Sequence, residues 1–147
     1  MKRGCLSLLL AGIAVAQARP QEDPIQIAVR AYHTAHAEGR FDEAVAKRDL
    51  ARSLLDQAPA DSRFGDSVWS VAQLYQGSGL SGPALAIAQQ ALARATTLGS
   101  RIQLLQQVAD FYQQDRNLLQ AVAYREKVVA ALEVFRFSVK WRRGVFR

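Results

Sequence analysis

Apolar residues recur at helical spacing along most of this chain, from residue 24 to residue 133, and this periodicity constrains the fold more than any other feature. One such run consists of Val68, Val71, Ala72 and Tyr75. Spacings of three and four residues place apolar side chains on one face of a helix. No segment of this body alternates in the way of a β-strand. The sequence therefore predicts an all-α fold.

Capping residues, glycines and prolines divide this body into six predicted helices. Aspartate, serine and asparagine side chains accept hydrogen bonds from the free N–H groups at a helix start, whereas glycine and proline end helices. In chain order the predicted boundaries are Asp23-Pro24 to Gly39, Asp42 to Pro59, Asp61 or Ser62 to Gly77, Ser81 to Gly99, a fifth helix from Ser100 and a sixth from Asn117. Because the turns are short, successive helices are expected to form three hairpins.

Small residues recur at corresponding places in the three hairpins. Ala44, Ala84 and Ala121 are separated by 40 and then 37 residues. The same alignment matches the pair at residues 74–75 with the pair at residues 111–112, which are Leu-Tyr and Phe-Tyr. A recurring period of this size is typical of a helical solenoid.

Three stretches of the sequence resemble the tetratricopeptide repeat family. They are Ala-Glu-Gly-Arg-Phe-Asp-Glu-Ala at residues 37–44, Ala-Gln-Leu-Tyr at 72–75 and Ala-Asp-Phe-Tyr at 109–112. The resemblance covers about residues 25–133. It implies a right-handed solenoid of three antiparallel hairpins, with repeats at about residues 25–60, 61–99 and 100–133. Tyr32 stands where the family has a small residue and Ser81 replaces an aromatic one, so a plain α-helical bundle is the alternative fold.

The resemblance also implies a binding surface. In this family the first helix of each hairpin lines a concave face that holds extended peptides. Carried over to this chain, the inward positions are Gln26, His33, His36, Asp66, Trp69, Gln73, Gln76, Gln103, Gln106, Asp110, Gln113 and Gln114. Glutamine amides pair with a peptide backbone in either sense, and an indole offers apolar contact area. The alternative is that the glutamines only solvate a helix face and Trp69 packs in the core.

The first 18 residues have the form of a secretory signal peptide. Lys2 and Arg3 precede an apolar run at residues 5–16, and Ala16-Gln17-Ala18 is a small-residue cleavage site. We expect cleavage after Ala18, a short linker at residues 19–24, and a periplasmic or secreted product. An uncleaved membrane anchor is the alternative, although the apolar run is shorter than a bilayer requires. The only cysteine, Cys5, lies in this leader, so no thiolate metal site is expected.

Positive charge is concentrated outside the predicted helical body. The formal net charge is +6, yet residues 19–133 carry 12 basic and 13 acidic side chains. A nearly neutral body offers no basic stripe for a phosphate backbone, so no nucleic-acid partner is expected.

The basic and aromatic tail, residues 134–147, differs from the rest of the sequence. Phe135, Phe137, Val139 and Trp141 alternate with Arg136, Ser138, Lys140 and Arg142, a period of two. One interpretation is a segment that lies on an anionic membrane or adds a strand to a partner's sheet. The other is a tail without a selected role, since a repeat stack normally ends in a polar capping helix. Left free, this tail should adhere to other surfaces, and if the chain is part of a larger assembly its uncapped end predicts self-association.

No recognisable catalytic motif is present, and we expect a protein without enzymatic activity, cofactor or metal. His33 and His36 are close enough in sequence to share a metal ion, but two ligands do not make a site. A metal-dependent hydrolase that uses both histidines and Asp66 is therefore only a remote alternative. The expected function is protein or peptide binding. The main alternative is a structural fragment of a larger repeat array without a ligand of its own.

Overall fold

A computed structural model describes the backbone of residues 22–144 and the side chains of residues 22–139. This part of the chain contains six helices joined by turns and no strand, which confirms the predicted all-α class. The helices, in order, are α1 (Pro24–Ala37), α2 (Phe41–Gln57), α3 (Phe64–Gly77), α4 (Ser81–Arg94), α5 (Leu98–Gln114) and α6 (Leu118–Gly144). The predicted signal peptide at residues 1–18 lies outside the described residues, as do residues 19–21 of the linker and residues 145–147 of the tail.

Two predicted caps lie where the sequence placed them. The Asp23 carboxylate accepts a hydrogen bond from the backbone N–H of Ile25 at 2.9 Å, and Pro24 opens α1. At the other end of the chain, the Asn117 side chain accepts a bond from the Gln120 N–H at 3.3 Å. Each side chain satisfies an N–H group that has no partner within its own helix, and so fixes the helix start.

Other predicted boundaries were wrong. Helix α3 begins at Phe64, after a turn in which Asp61 accepts a bond from the Arg63 N–H. Asp42 does not cap α2. It lies in the first turn of the helix, where the positive end of the helix dipole stabilises its negative carboxylate. The fifth helix begins at Leu98 rather than Ser100.

Helix α4 ends at Arg94, and Gly99 belongs to α5 instead of closing the fourth helix. The reason is Thr97, whose extended backbone and hydroxyl cap α5: its side chain accepts a hydrogen bond from the Ser100 N–H at 3.1 Å. The predicted repeat boundary between residues 99 and 100 therefore falls inside the first turn of α5.

The predicted boundary at residue 134 is not a structural one, because α6 continues without a break to Gly144. Residues 118–143 contain neither glycine nor proline, so nothing in the backbone ends the helix there. The alternation of aromatic and basic residues does not mark a strand in this chain. Helix α6 has 27 residues against 17 in α5, so its last turns project about 15 Å past its partner.

The helices pack as three hairpins, α1 with α2, α3 with α4, and α5 with α6. Successive hairpins meet in two ways, because α2 contacts α3 and α4 contacts α5, while α1, α3 and α5 lie side by side. The core between them is aliphatic and aromatic, with Phe64, Leu74, Leu104 and Phe111 almost fully buried.

The same turn joins the two helices of each hairpin. Its central residues are Gly39, Gly79 and Arg116, with φ values of 74°, 75° and 59°. The next residue in each turn donates its N–H to the carbonyl five positions back, at 2.9, 2.9 and 2.8 Å. This is the helix-ending pattern that favours glycine at its left-handed residue. The three turns repeat at the 40- and 37-residue spacing of the alanines, all three of which are buried.

The junctions between hairpins also repeat. The Tyr75 hydroxyl of α3 donates to Asp49 of α2 at 3.2 Å, and Gln89 of α4 donates to the Tyr112 hydroxyl of α5 at 3.0 Å. Burial, together with the negative charge of Asp49, raises the pKa of Tyr75 above its ordinary value. The Arg48 guanidinium lies 4.7 Å from the centroid of the Tyr75 ring. A tyrosine on the first helix thus contacts the second helix of the hairpin before it.

Candidate interaction face

Helices α1, α3 and α5 carry all twelve residues of the predicted binding surface, and we call their common exposed side the inner face. The helices run parallel along it. Contacts between α1 and α3 join residues with nearly constant sequence separation: Asp23 with Ser67, Gln26 with Ser70, and Tyr32 with Ser78. Predicted residues near the start of each helix therefore lie at one end of the face, and those near its finish lie at the other.

Polar side chains close the seam between α3 and α5. The Gln103 amide donates to Asp66 at 2.6 Å, and Gln76 donates to Gln114. Deeper in the seam, the buried Gln107 amide donates to the backbone carbonyl of Gly65 at 2.8 Å. Four of the twelve predicted residues thus form two hydrogen-bonded pairs. Sequence reasoning missed Gln107, whose burial distinguishes it from the other glutamines of α5.

Gly65 explains why the two helices approach so closely at this end. A Cβ atom built on Gly65 would lie 2.2 Å from the Gln103 side-chain oxygen. Any larger residue would therefore have to displace the amide that bonds Asp66. Gly65 therefore leaves room for the Gln103 amide on the inner face, and a larger residue would act by moving that flexible side chain.

Trp69 is partly a core residue and partly a surface residue of the inner face, so each of the two interpretations of its sequence position holds in part. Its side chain is half-buried and packs against the core, with its ring centroid 5.5 Å from that of Phe111. One part of the indole therefore belongs to the α3–α5 packing and the rest stays accessible on the inner face. Gln73 is also half-buried, one turn further along α3.

At the α5 edge, the inner face includes a side chain from α6 that was not predicted. Arg125 lies 3.5 Å from the Asp110 carboxylate and donates a hydrogen bond to Gln113. Gln106, one turn before Asp110, is exposed. Asp66 and Asp110 are the acids of the predicted set, and Arg125 balances the second of them. No local pattern in the sequence points to this contact, since it depends on the folding of α6 against α5.

The two histidines belong to an aromatic cluster at the end of α1. The ring centroids of His33 and His36 lie 5.3 and 5.7 Å from that of Tyr32. The His36 ring centroid also lies 5.4 Å from that of Phe41 in α2. Asp66 lies at the start of α3, at the opposite end of the inner face from the histidines. The three residues of the remote hydrolase alternative are therefore not brought together.

Within residues 22–144, no group of three or more histidine, cysteine, aspartate or glutamate side chains is arranged to hold a metal ion. In the same described part of the chain, no helix combines the length and apolar content that crossing a bilayer would need. Comparison with protein-family models, curated protein sequences and solved structures finds no match to this chain.

Proposed function

We propose that this chain is an exported, non-enzymatic binding protein whose three tetratricopeptide-like hairpins form a right-handed solenoid and hold a protein or a peptide on the inner face. The observation that carries the proposal is the set of polar side-chain contacts that join α1, α3 and α5 on this face, Gln26–Ser70, Asp66–Gln103 and Gln76–Gln114, with the half-buried indole of Trp69 on the central helix. Export rests on the leader-like sequence of residues 1–18.

Two features favour a solenoid over a plain bundle. The first is the repetition of turns and tyrosine junctions at the 40- and 37-residue spacing. The second is that the α1–α2 hairpin makes no close backbone contact with the α5–α6 hairpin among the described helices. In a bundle all helices share one core, whereas repeat units contact only their neighbours. The twist and hand of the stack are part of the proposal.

The chemistry of the inner face favours a neutral, extended peptide segment. A side-chain amide has two N–H donors and a carbonyl acceptor, so the exposed Gln114 amide keeps its donors for a ligand while it accepts from Gln76. The Gln76 carbonyl is buried and does not contribute. The exposed part of Trp69 supplies apolar area for one side chain of the peptide. The acids and Arg125 nearly cancel, so no strong charge preference is expected.

Selection of a displayed random-peptide library on the purified chain tests this proposal. A selected peptide is synthesised and its affinity is measured by calorimetry for the parent chain and for two inner-face variants, Trp69→Ala and Gln106→Arg. We expect at least a ten-fold loss of affinity in both. Gln106 is exposed, so its substitution leaves the fold intact and separates loss of binding from loss of structure. Gln57→Arg, on the exposed side of α2, is the matched control and keeps full affinity.

Failure to select any peptide, or equal affinity in all four proteins, would contradict the inner-face proposal. Circular dichroism of each variant supplies the check on folding. Because Trp69 packs on Phe111, its truncation lowers stability as well, and only the Gln106 variant gives a result free of that effect.

An assembly role is the second candidate, in which the hairpins act as part of a larger repeat array without a ligand of their own. It is favoured by the aliphatic side chains that α6 leaves exposed, among them Leu118, Val122 and Val129. A surface of this kind marks an interaction site in many proteins. It would leave the inner face unused and predicts no peptide binding there.

A further inference from the structure

One side of α6 carries a row of exposed aliphatic residues, which we call the α6 stripe: Leu118, Val122, Val129 and Leu132. Their exposed fractions are 64, 55, 57 and 43 %. Spacings of four, seven and three residues keep them on one face of the helix, and Arg125 stands in the gap at its middle. The stripe lies beside the residues that pack on α5, such as Ala121 and Val128.

The corresponding face of α4 is covered. The 37-residue spacing matches three residues of the α6 stripe with three residues at and just after α4, which are partly buried and pack against the core. The matched pairs are Val122 with Leu85, Val129 with Leu92 and Leu132 with Ala95. Ala88, which corresponds to Arg125, is fully buried. The element that packs on this side of α4 is α5, the first helix of the following hairpin. The α6 stripe is therefore the surface on which the first helix of another hairpin would pack.

Helix α1 offers the matching surface, which we call the α1 stripe: Ile27, Ala31 and Thr34. Residues at the same positions in α3 and α5 are all buried, and they are Ser67, Val71, Leu74, Leu104, Val108 and Phe111. In α1, by contrast, Ile27 is 47 % exposed, Ala31 is half-buried and Thr34 is exposed. Among the described helices, α1 is the first helix of a hairpin that no preceding hairpin covers.

The sizes of the two stripes are complementary. The α4 face that corresponds to the α6 stripe combines Leu85 and Leu92 with the fully buried Ala88. At the positions of the α1 stripe, α5 has the large residues Leu104, Val108 and Phe111. The α6 stripe keeps aliphatic residues of similar size to those of α4, whereas two of the three α1 positions are the small residues Ala31 and Thr34. Large side chains against small ones allow two helices to approach without voids.

Charge also favours α1 over a second α6 as the occupant. Two α6 stripes in contact would place positively charged Arg125 and Arg136 in one interface, where like charges repel. The register of Tyr112 opposite Gln89, transferred to α6 and the α1 of another copy, places Arg136 opposite Ile25. Arg136 then lies within about one helical turn of Glu22 and Asp23, two acids at the start of α1.

We propose that the α6 stripe binds the α1 stripe of a second copy of this chain, so that the hairpins of successive copies continue one stack. This contact is head-to-tail, joining two different surfaces, and it produces an open series whose mean mass rises with concentration instead of a closed dimer. It does not depend on the proposal for the inner face, whose twelve residues lie on α1, α3 and α5 and include no residue of either stripe.

Sedimentation velocity of the full chain at increasing concentrations is the test. We expect the parent chain to form a growing series of oligomers. Val129→Glu on the α6 stripe and Ile27→Glu on the α1 stripe each block one end, and each variant alone sediments as a single chain. A mixture of the two still has one intact stripe of each kind, so it forms a discrete two-chain complex and nothing larger.

Matched controls separate the stripes from general hydrophobicity. Leu119→Glu lies next to the α6 stripe on a more exposed position, and Leu50→Glu lies on α2 with the same exposure as Ile27 within about one per cent; both variants should associate as the parent does. A parent chain that stays monomeric at all concentrations overturns the proposal. So does association by Ile27→Glu alone, which would show that two α6 stripes bind each other. Peptide binding by the monomeric variants would leave the inner-face proposal standing in either case.

Discussion

Helices α4 and α6 occupy the same place in their hairpins and both carry large aliphatic residues at corresponding positions, yet they differ in what covers those residues. Leu85 and Leu92 of α4 pack under α5, whereas Val122 and Val129 of α6 are more than half exposed. The sequence of a helix therefore does not determine whether its outward face is core or surface. In a stack of repeats that is decided by the next hairpin, since each unit buries its face only against a neighbour.

The comparison extends to how each helix is held. Arg94 near the end of α4 donates hydrogen bonds back to the carbonyls of Leu55 and Ala58, and its guanidinium lies 4.7 Å from the Phe64 ring centroid. Those carbonyls lie at the end of α2, where the Leu55 carbonyl also accepts a hydrogen bond from the Ala58 N–H at 3.2 Å. The position that corresponds to Arg94 in α6 is Ala131, which has no such group. Helix α4 is thus fixed to hairpins on both sides, and α6 is fixed mainly to α5.

The largest expected difference comes from two phenylalanines. Phe111 is 1 % exposed in the core between hairpins, and Phe137 is 74 % exposed on the projecting end of α6. Phe111→Ala should lower the free energy of unfolding by about 3–5 kcal/mol because it leaves a cavity. Phe137→Ala should change it by less than about 0.5 kcal/mol. Urea denaturation followed by circular dichroism measures both, and equal effects would mean that the end of α6 packs as a core element.

A second pair of substitutions places leucine at two corresponding positions, one on the covered face of α4 and one on the exposed face of α6. Ala88→Leu adds bulk to the fully buried α4–α5 junction and should lower the free energy of unfolding by about 1–3 kcal/mol. Arg125→Leu introduces the same side chain at the corresponding place on α6. There it removes an exposed ion pair with Asp110 and an exposed hydrogen bond to Gln113, so the loss should stay below about 1 kcal/mol.

Thermal unfolding of these two variants at a low, fixed protein concentration gives the comparison, because association would otherwise stabilise the Arg125 variant. If Ala88→Leu were the milder change, the α4–α5 junction would contain unfilled space, and the contrast between a covered and an open face would not hold.

The sequence predicted the periodic parts of this fold well. Six helices, three hairpins and the spacing of Ala44, Ala84 and Ala121 follow from helical periodicity and capping, which are local properties. The errors have local causes too. Gly99 has the appearance of a helix end, but Thr97 caps α5 before it. The alternation after Val134 suggests a strand, but no glycine or proline interrupts residues 118–143, and α6 continues through them.

The inner face was less predictable, because its details depend on contacts between helices. The twelve residues lie on the expected three helices, and Asp66 with Gln103 are joined directly. The sequence could not indicate that Arg125 reaches Asp110, or that Trp69 divides its surface between core and solvent. Both facts depend on how far one hairpin lies from the next, and periodicity along the chain contains no measure of that distance.

The smallest expected effect concerns the turns, where the last hairpin again differs from the second. Gly79 and Arg116 both have positive φ, a conformation that strains a residue with a Cβ atom by about 1–2 kcal/mol. Arg116→Gly removes this strain. Glycine loses more backbone conformational entropy on folding, which offsets part of that stabilisation, so the free energy of unfolding should rise by about 0.5–1 kcal/mol.

Gly79→Ala is the reciprocal change and should lower the free energy of unfolding by about 1 kcal/mol. A Cβ atom at Gly79 meets nothing within 4 Å, so backbone strain alone is measured. Chemical denaturation measures the change in the free energy of unfolding for both variants. Changes of opposite sign would show that the α5–α6 turn adopts the α3–α4 conformation although Arg116 is an unfavourable residue for it. If Arg116→Gly were neutral or destabilising, the arginine side chain would stabilise the α5–α6 turn. The α5–α6 hairpin would then differ from the α3–α4 hairpin in its turn as well as in the exposure of its second helix.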